Sequence, residues 1–330
     1  MSAFDQVLNA ARAHKRRIVL PESLDERILI AAIDVEKRGL ATPILVGGAK
    51  EIHAAAASFN LNVDHLEILD PLQSADQDAY VQSLIEKRAP RNIPVEKAIE
   101  ACKNPLTFAC LSLGLGKADG CVAGAMTATA DVVRNTLRYV GKKTEVSVVS
   151  SFFIMLLNDS HPVRDVIVIA DCALVIEPDA DELASIAIST GQSAKTLLNL
   201  DPNIGMLSFS TNGSARHAAV TKVRDACKRA QQAKPDWRII GEIQLDAAVV
   251  PPIQHRKFPE EACDSPCNIL IFPNLDAGNI GYKLIERFGG AQALGPILQG
   301  LQHPVNDLSR GCTSDDVTNI IAITAAQCEP

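Results

Sequence analysis

The sequence predicts an α/β protein of two domains, each with a mainly parallel sheet, and a cleft between them. Short apolar segments alternate with longer amphipathic ones along most of the chain, which is typical of parallel strands covered on both faces by helices. The 330 residues are enough for two separate cores. A polar break at 141–145 (GKKTE) interrupts the alternation and predicts the first domain boundary. Ligands are expected where strand ends face the cleft.

Composition and charge exclude several classes of protein. Hydrophobic residues make up 47% of the chain and charged residues 22%, as in ordinary globular proteins. The formal net charge of -7 argues against binding to nucleic acid or to an anionic membrane. The apolar segments are too short to cross a bilayer, and the amphipathic stretch at 1–17 lacks the apolar core of a signal peptide. We therefore expect no membrane association.

The nine cysteines are scattered along the chain without a repeating framework, which predicts a reducing compartment, the cytosol. Only Cys263 and Cys267 lie close together in sequence. No second pair or histidine cluster completes the ligand pattern of a metal site, so we expect no bound metal.

In the first domain, strands and helices are predicted in turn from apolar runs and the turn residues that flank them. The helix at 25–38, for example, is followed by Gly39, the residue type favoured just after a helix. Strands are expected at 17–21, 42–47, 66–69 and 120–125, and helices at 1–17, 25–38, 50–58, 76–88, 95–102 and 105–117.

In the second domain, the same alternation resumes after the polar break. No internal repeat or low-complexity segment interrupts it. Strands are expected at 146–150, 165–170, 204–209 and 268–272, and helices at 181–198, 218–234 and 281–288, with a last helix at 317–326.

A stretch near the end of the chain carries the strongest chemical signal. Ser309 places a hydroxyl beside the guanidinium of Arg310, whose fork of donors suits a phosphate or an oxyanion. Gly311 follows as a hinge, and Asp316 would lie in the first turn of the last helix, close enough to reach back toward the hydroxyl. On local grounds, a capping box between Thr313 and Asp316 is the more frequent role of such a carboxylate.

Three further stretches place anion-binding groups just after predicted strands. At 124–134, hydroxyls open a helix whose first turns carry Arg134, a cation that opposes the helix dipole unless an anion lies there. At 208–217, small hydroxylic residues and a glycine offer backbone N–H groups to an anion, without the ending of a Walker loop. At 272–283, Lys283 lies about one turn into a helix. Taken singly, each is at least as often a plain cap, a turn or a solvated lysine.

Other candidate groups are weaker. The GLG run at 114–116 follows no predicted strand, so it fails as a dinucleotide-binding motif. His217 and His303 belong to no motif and are more often surface residues. Cys312, near Arg310, is a candidate nucleophile if its pKa is depressed, although a small buried thiol is the more frequent role.

The motifs above belong to a longer series of short segments. The series comprises DG at 119–120, TAD at 129–131 with Arg134, ADCA at 170–173, MLSFS at 206–210, QLDAAVVP at 244–251, GN at 278–279, YK at 282–283, GP at 295–296, QGL at 299–301 and DLSRGC at 307–312. On these segments the chain resembles the phosphate acetyltransferases (phosphotransacetylases) over essentially its full length. The segments at 40–46 and 212–217 resemble most the short, single-module forms, including the ethanolamine-utilisation type. Thr127, Ala128 and Asn135 depart from the histidine, serine and proline that many or some members carry.

The resemblance implies an activity, a fold and an assembly. The activity is the reversible transfer of an acetyl group between acetyl-CoA and phosphate, which gives acetyl phosphate and CoA with no cofactor. The fold is similar to that of the isocitrate and isopropylmalate dehydrogenases, with the active site in the interdomain cleft, and the assembly is a homodimer. Because the C-terminal segment of the family returns to the first domain, the domains are expected at 1–143 plus 293–330 and at 144–292.

The resemblance also implies roles for individual residues. Asp316 matches the base that takes the proton of the CoA thiol. Arg310 matches the group that polarises the acetyl carbonyl and binds phosphate, and Ser309 the donor to the tetrahedral oxyanion. Arg134 and Arg88 match arginines that bind CoA or phosphate. Further candidates for substrate contact are Lys283, Thr129, Ser214, Tyr282 and Asn279.

The sequence leaves the route of transfer and the nature of the acyl group open. Transfer of a proton from a thiol with a pKa of about 8.5 to an aspartate with a pKa of about 3.9 costs about 6 kcal/mol. We therefore expect that proton removal is concerted with attack, or that the cleft desolvates the base and raises its pKa. A covalent acetyl-enzyme at Cys312 is the other route. The alternative functions are a propionyl- or butyryltransferase, a metal- and nucleotide-dependent dehydrogenase on the same fold, and a catalytically silent module that binds acyl-CoA.

Overall fold

The computed structural model describes residues 3–89, 92–158, 165–259 and 263–328. These residues form two compact units. The first α/β unit comprises the described residues of Val7–Lys143 and Leu301–Pro330, and the second comprises those of Met1–Gln6 and Thr144–Gly300. The chain thus returns to the first unit at Leu301, whereas the sequence put this return near residue 293.

Helices and strands follow one another in the alternating order typical of α/β proteins. The strands are β1 (Arg17–Leu20), β2 (Thr42–Val46), β3 (Glu67–Leu69), β4 (Gly120–Ala123), β5 (Ser150–Leu156), β6 (Val166–Ala170), β7 (Asn203–Leu207), β8 (Arg238–Ile243), β9 (Ile269–Ile271), β10 (Gln292–Gln299) and β11 (Val305–Asp307). The helices are α1 (Ala3–His14), α2 (Glu26–Lys37), α3 (Ala49–Ser58), α4 (Gln77–Lys87), α5 (Val95–Cys102), α6 (Pro105–Gly114), α7 (Thr129–Asn135), α8 (Ala180–Leu198), α9 (Ala218–Ala233), α10 (Leu245–Val249), α11 (Pro251–Lys257), α12 (Leu275–Gly289) and α13 (Ser314–Gln327). A π-helical turn, Thr136–Val140, follows α7 directly.

The first unit contains a five-stranded sheet in the order β11-β4-β1-β2-β3. All its strand pairs are parallel, and Asp307 at the end of β11 lies opposite Ala123 at the end of β4. Ile18, Val19 and Leu20 are fully buried, as expected of a strand that is covered on both faces. Helix α13 packs on α2, β4 and β1. The last strand of the chain therefore belongs to the same sheet as β1, and the last helix packs on that sheet and on α2.

The second unit contains a six-stranded mixed sheet in the order β10-β5-β6-β9-β7-β8. Strand β5 is antiparallel to both β10 and β6, whereas β6, β9, β7 and β8 run parallel. Helix α8 packs on β6, β7 and β9. The predicted fold class, two α/β domains with mainly parallel sheets, is confirmed.

Two predicted elements of the second unit are wrong or incomplete, and two of its strands were not predicted. The strand expected at 146–150 is absent, and the strand of this region is β5, which begins at Ser150. Strands β8 and β10 were not predicted. Helix α12 begins at Leu275 rather than at residue 281, because the side chain of Asn274 accepts the N–H of Ala277 and caps it. Residue 278, inside this helix, is glycine because a Cβ at this position would lie 2.2 Å from the carbonyl oxygen of Asp171.

The described helices are neither long nor apolar enough for any one of them to span a bilayer.

Candidate active site

The candidate site of the first unit lies at the carboxyl ends of three neighbouring strands, β11, β4 and β1. Ser309 and Arg310 are exposed in the loop between β11 and α13. The N–H of Leu308 donates to the carbonyl of Ala123 at 2.7 Å, and the N–H of Cys312 donates to the carbonyl of Ser309 at 2.9 Å. The loop therefore turns tightly at the sheet edge, which is where ligands bind in parallel α/β sheets.

Asp316 caps α13 with one of its two carboxylate oxygens. Its Oδ2 accepts the N–H and the hydroxyl of Thr313, both at 2.9 Å, and its own N–H donates to the Thr313 hydroxyl at 3.2 Å. The predicted capping box is therefore confirmed. Within the described part of the chain, no hydrogen bond ends on Oδ1 of Asp316, and this residue is only half-buried. One oxygen thus fixes the side chain while the other stays available to a substrate.

Arg27 holds the Ser309–Arg310 loop in place and was not predicted from the sequence. Its Nη1 donates to the carbonyls of Arg310 at 2.8 Å and Cys312 at 3.1 Å. Its Nη2 donates to the carbonyl of Ala125 at 2.9 Å, and its Nε and Nη2 hold Asp25 at 2.9 and 2.7 Å. The hydrogen bond from Arg27 lowers the pKa of Asp25. One guanidinium therefore ties the start of α2 to two loops of the site.

The thiol of Cys312 lies under this loop, 8% exposed, with Sγ at 3.6 Å from Nη1 of Arg27. Burial raises the pKa of Cys312, and the charge of Arg27 opposes this rise only in part. A thiol with a raised pKa is a poor nucleophile near neutral pH. The environment of Cys312 therefore favours the role of a small buried side chain.

The loop after β4 wraps a carboxylate of the protein itself. Glu22, which follows β1 and is 8% exposed, accepts four successive backbone N–H groups. Its Oε2 accepts those of Gly124 at 2.9 Å and Ala125 at 2.7 Å, and its Oε1 those of Met126 at 3.1 Å and Thr127 at 2.7 Å. The sequence predicted an anion near this loop, at the start of the following helix, and Glu22 supplies an internal anion to the loop.

The two predicted arginines of this unit lie in different surroundings. Arg134 is exposed in the last turn of α7, not in its first turns, and pairs with Asp131. The argument from the helix dipole is therefore wrong, because the helix is short and the arginine has its own carboxylate. Arg88 follows the last residue of α4, and its Nε is buried without a hydrogen-bond partner among the described residues.

The loop at 208–217 in the second unit is also organised by an internal carboxylate. Glu242, 2% exposed, accepts from the N–H of Gly213 at 2.8 Å, the hydroxyl of Ser210 at 3.0 Å and Nε of Arg224 at 2.9 Å. Burial raises the pKa of Glu242, but these hydrogen bonds outweigh burial and lower it. Ser214 accepts the N–H of Thr211 at 3.1 Å, so its hydroxyl already serves the turn.

Three predicted side chains of the second unit meet on one face of α12. Nζ of Lys283 donates to Oδ1 of Asn279 at 2.7 Å and lies 5.6 Å from the ring centroid of Tyr282. Tyr282 stacks on Phe153 at 4.4 Å, and Nδ2 of Asn279 donates to the carbonyl of Cys172 at 3.1 Å. Asn279, Tyr282 and Lys283 thus lie together in the second unit, whereas Ser214 lies in a separate loop.

Within the residues that the structure describes, no three histidine, cysteine or acidic side chains converge where they could hold a metal ion.

Comparison with known proteins gives one consistent result. A family model described as Phosphate acetyl/butaryl transferase matches residues 2–325. The phosphate acetyltransferase of Thermoanaerobacterium thermosaccharolyticum is 45% identical over 330 residues, which cover 100% of both chains. The solved structure of the EutD phosphotransacetylase from Staphylococcus aureus has a TM-score of 0.90 at 40% identity and covers 99% of both chains. That of a phosphotransacetylase from Streptococcus pyogenes has a TM-score of 0.93 at 38% identity, covering 99% of this chain and 98% of that one.

Proposed function

The chain belongs to the phosphate acetyl/butaryl transferase family, and on this premise we propose that it transfers acetyl groups reversibly between acetyl-CoA and phosphate. One observation indicates which residues perform the proposed reaction. Ser309 and Arg310 are exposed at the end of β11, and Asp316 is anchored beside them at the start of α13 with one carboxylate oxygen uncommitted within the described residues.

The proposed reaction is a direct transfer with both substrates bound. In the direction of acetyl-CoA formation, the sulfur of CoA attacks the carbonyl carbon of acetyl phosphate while its proton passes to Asp316. Ser309 and Arg310 donate to the oxyanion that forms, and donors of this kind stabilise such a transition state by about 3–4 kcal/mol each. The bond between the carbonyl carbon and the phosphate oxygen then breaks, phosphate leaves with the electron pair, and Asp316 returns the proton to it.

The capping geometry of Asp316 supports its role as the base. Thr313 occupies Oδ2, which fixes the direction of the carboxylate without using Oδ1. Proton transfer requires a base within hydrogen-bond reach and correctly aimed, and a fixed side chain meets this requirement with no reorganisation. Each step uses only these side chains and the two substrates.

The remaining predicted residues are proposed to bind the anionic parts of the substrates. In the first unit these are Arg134, Arg88 and Thr129. In the second unit Lys283 is the stronger candidate, because it is exposed and held toward Asn279 and Tyr282. The hydroxyl of Ser214 already accepts a backbone N–H, which favours a supporting role in its loop.

We further propose a cytosolic homodimer. None of the nine cysteines, all within the described ranges, forms a disulfide, which suits a reducing compartment. Helix α12 exposes Ile280, Leu284 and Phe288 at 60%, 51% and 86%, four residues apart and hence on one face. A continuous exposed apolar face supports contact with a second copy of the chain.

An acyl-transfer assay tests the proposed function. The purified protein is supplied with CoA and acetyl, propionyl or butyryl phosphate, and thioester formation is followed, with arsenate or phosphate used for the reverse reaction. We expect the highest kcat/KM with the acetyl compound and no dependence on added metal or nucleotide. A preference for butyryl phosphate would assign the other activity in the family description, and no transfer with any of the three would contradict the proposal.

A further inference from the structure

The buried carboxylate of Glu22 determines where the loop 124–127 lies. Glu22 is 8% exposed and follows β1 at the carboxyl edge of the sheet, where the candidate site lies. Its two oxygens accept the four successive N–H groups of this loop at 2.9, 2.7, 3.1 and 2.7 Å. A buried charge is costly unless it is hydrogen-bonded, so these four bonds hold the carboxylate and the loop in one arrangement.

The loop 124–127 lies directly against the loop 308–312, which carries two of the proposed catalytic residues. The carbonyl of Ala123, just before the first loop, accepts the N–H of Leu308 at 2.7 Å. A Cβ on Gly124 would lie 2.6 Å from the nitrogen of Leu308 and 2.8 Å from its carbonyl oxygen. The two backbones therefore touch, and a shift of the first loop would displace the second.

A second connection between the two loops passes through Arg27. Glu22 accepts the N–H of Ala125 at 2.7 Å, while Nη2 of Arg27 donates to the carbonyl of Ala125 at 2.9 Å. Nη1 of the same guanidinium donates to the carbonyl of Arg310 at 2.8 Å. Ala125 is thus held by Glu22 on its N–H and by Arg27 on its carbonyl, and Arg27 passes this position on to Arg310.

We infer that Glu22 is a positioning residue for the transfer reaction. By fixing the loop 124–127, its carboxylate sets the backbone from which Ser309 and Arg310 donate to the oxyanion. This inference rests on the proposed function and adds to it a residue that does not touch the reacting atoms. A misplacement of about 1 Å in such donors can cost about 100-fold in rate.

The arrangement requires a carboxylate at position 22 rather than an amide of the same size. Oε2 serves Gly124 and Ala125, and Oε1 serves Met126 and Thr127. Glutamine offers one acceptor oxygen and one NH₂ donor group. In Glu22→Gln, one half of the loop would therefore face a donor in place of an acceptor, and that half would move away.

Steady-state kinetics of Glu22→Gln test the inference. We expect kcat and kcat/KM to fall together by roughly 10–100-fold, the range typical of groups that orient others. KM for CoA and acetyl phosphate should stay within about twofold, because Ser309 and Arg310 donate to an oxyanion that forms only in the transition state. A purely structural role would lower the Tm without this division between kcat and KM.

Asp119→Asn is the matched control for a lost internal carboxylate. Asp119 is half-buried and accepts the N–H of Arg17 at 2.7 Å, at the amino edge of the same sheet, opposite the candidate site. Its kcat should be close to that of the wild type. Hydrogen exchange of the amides at 124–127 should be faster in Glu22→Gln and unchanged in Asp119→Asn, because only the first variant loses their acceptor.

Glu22→Asp keeps the test open if Glu22→Gln does not fold. It retains the charge and both acceptor oxygens on a side chain that is shorter by one methylene, so kcat should fall by only about 3–10-fold. The inference is overturned if the Glu22 variants have the kcat of Asp119→Asn, or if their losses appear in KM with kcat unchanged. A wild type with no acyl-transfer activity would instead contradict the proposed function.

Discussion

At the scale of single residues, two internal carboxylates account for loops that the sequence predicted to lie near an anion, and a third, Asp171, organises a further loop in the same way. Glu22 accepts four N–H groups of the loop after β4, Glu242 binds the loop at 210–213, and Asp171 accepts the N–H groups of Ala173, Leu174 and Val175. The sequence correctly indicated loops that bind a negative charge. It could not indicate which residue carries this charge, because Glu22 lies 102 residues before its first partner.

Arg27 was missed for the same reason. It occupies an ordinary position at the start of a helix, and its partners are carbonyl oxygens as far as 285 residues away, which carry no signal in the side-chain pattern. Ser309, Arg310 and Asp316 were found because hydroxyl, guanidinium and carboxylate lie within one short stretch. Sequence reasoning therefore identifies groups that are chemically distinctive and close together, and misses those that act on a distant backbone.

A lysine at position 27 should impair the site, because one ammonium cannot reach the carbonyls of Ala125, Arg310 and Cys312 together. For Arg27→Lys we expect kcat to fall at least about tenfold and the Tm to drop by a few degrees. Steady-state kinetics and thermal unfolding measure the two effects. Arg38→Lys, which alters the surface ion pair between Asp34 and the residue after α2, is the matched control. Equal kinetics for both variants would contradict the role of Arg27.

The raised pKa of Asp307 predicts how stability depends on pH. An acid whose pKa is about 6 when folded and 3.8 when unfolded binds its proton more tightly in the folded state, so its contribution is full below pH 3.8 and lost as the pH rises through 6. Between about pH 4.5 and 8, the wild type should lose about 2 kcal/mol relative to Asp307→Asn. Urea unfolding of both proteins at the two pH values measures the difference. No change in the gap between them would show that Asp307 titrates normally.

At the scale of elements, the first four strands of the first unit and most helices were predicted to within a few residues. Apolar runs bounded by Gly, Pro or Asp were sufficient signals there. Strand β11 was not predicted, because its three residues are Val305, Asn306 and Asp307, and two of these are polar despite being buried. The predicted helix was shorter than α12, because glycine disfavours a helix. Gly278 and Gly281 nevertheless lie inside α12, where Asp171 and Phe272 leave no room for a Cβ.

The exposed face of α12 gives a prediction about assembly. A second copy that covers Leu284 and Phe288 would gain about 1.5–3 kcal/mol for each side chain fully buried. Leu284→Glu with Phe288→Glu should therefore yield a monomer in analytical ultracentrifugation, with unchanged helix content by circular dichroism. Leu245→Glu, at a residue of α10 that is 49% exposed, is the control and should leave the mass unchanged. A dimer that survives the double substitution would exclude α12 as the interface.

At the scale of the whole molecule, the family predicted from short motifs is confirmed by a match over residues 2–325 and by a relative 45% identical over the full chain. Local pattern alone did not predict that the last strand and helix complete the first unit. Only the resemblance predicted it. No periodicity in the sequence links Val305–Asp307 to its partner strand β4, which lies far earlier in the chain. The energetic reason is plain in the structure: α13 covers β1 and β4, whose apolar faces would otherwise be open to water.

Asp316 is proposed to act as the base while it caps α13, and one comparison of kcat tests this double role most directly. In Asp316→Asn the side-chain oxygen can still accept from Thr313, so the cap and the Tm should be kept, whereas the base is lost. Asp315→Asn, a neighbouring carboxylate in the same helical turn, is the matched control. We expect kcat for acetyl transfer to fall by roughly 10²–10⁴ in Asp316→Asn with little change in KM, and to stay near normal in Asp315→Asn. A near-normal kcat in Asp316→Asn would contradict the account.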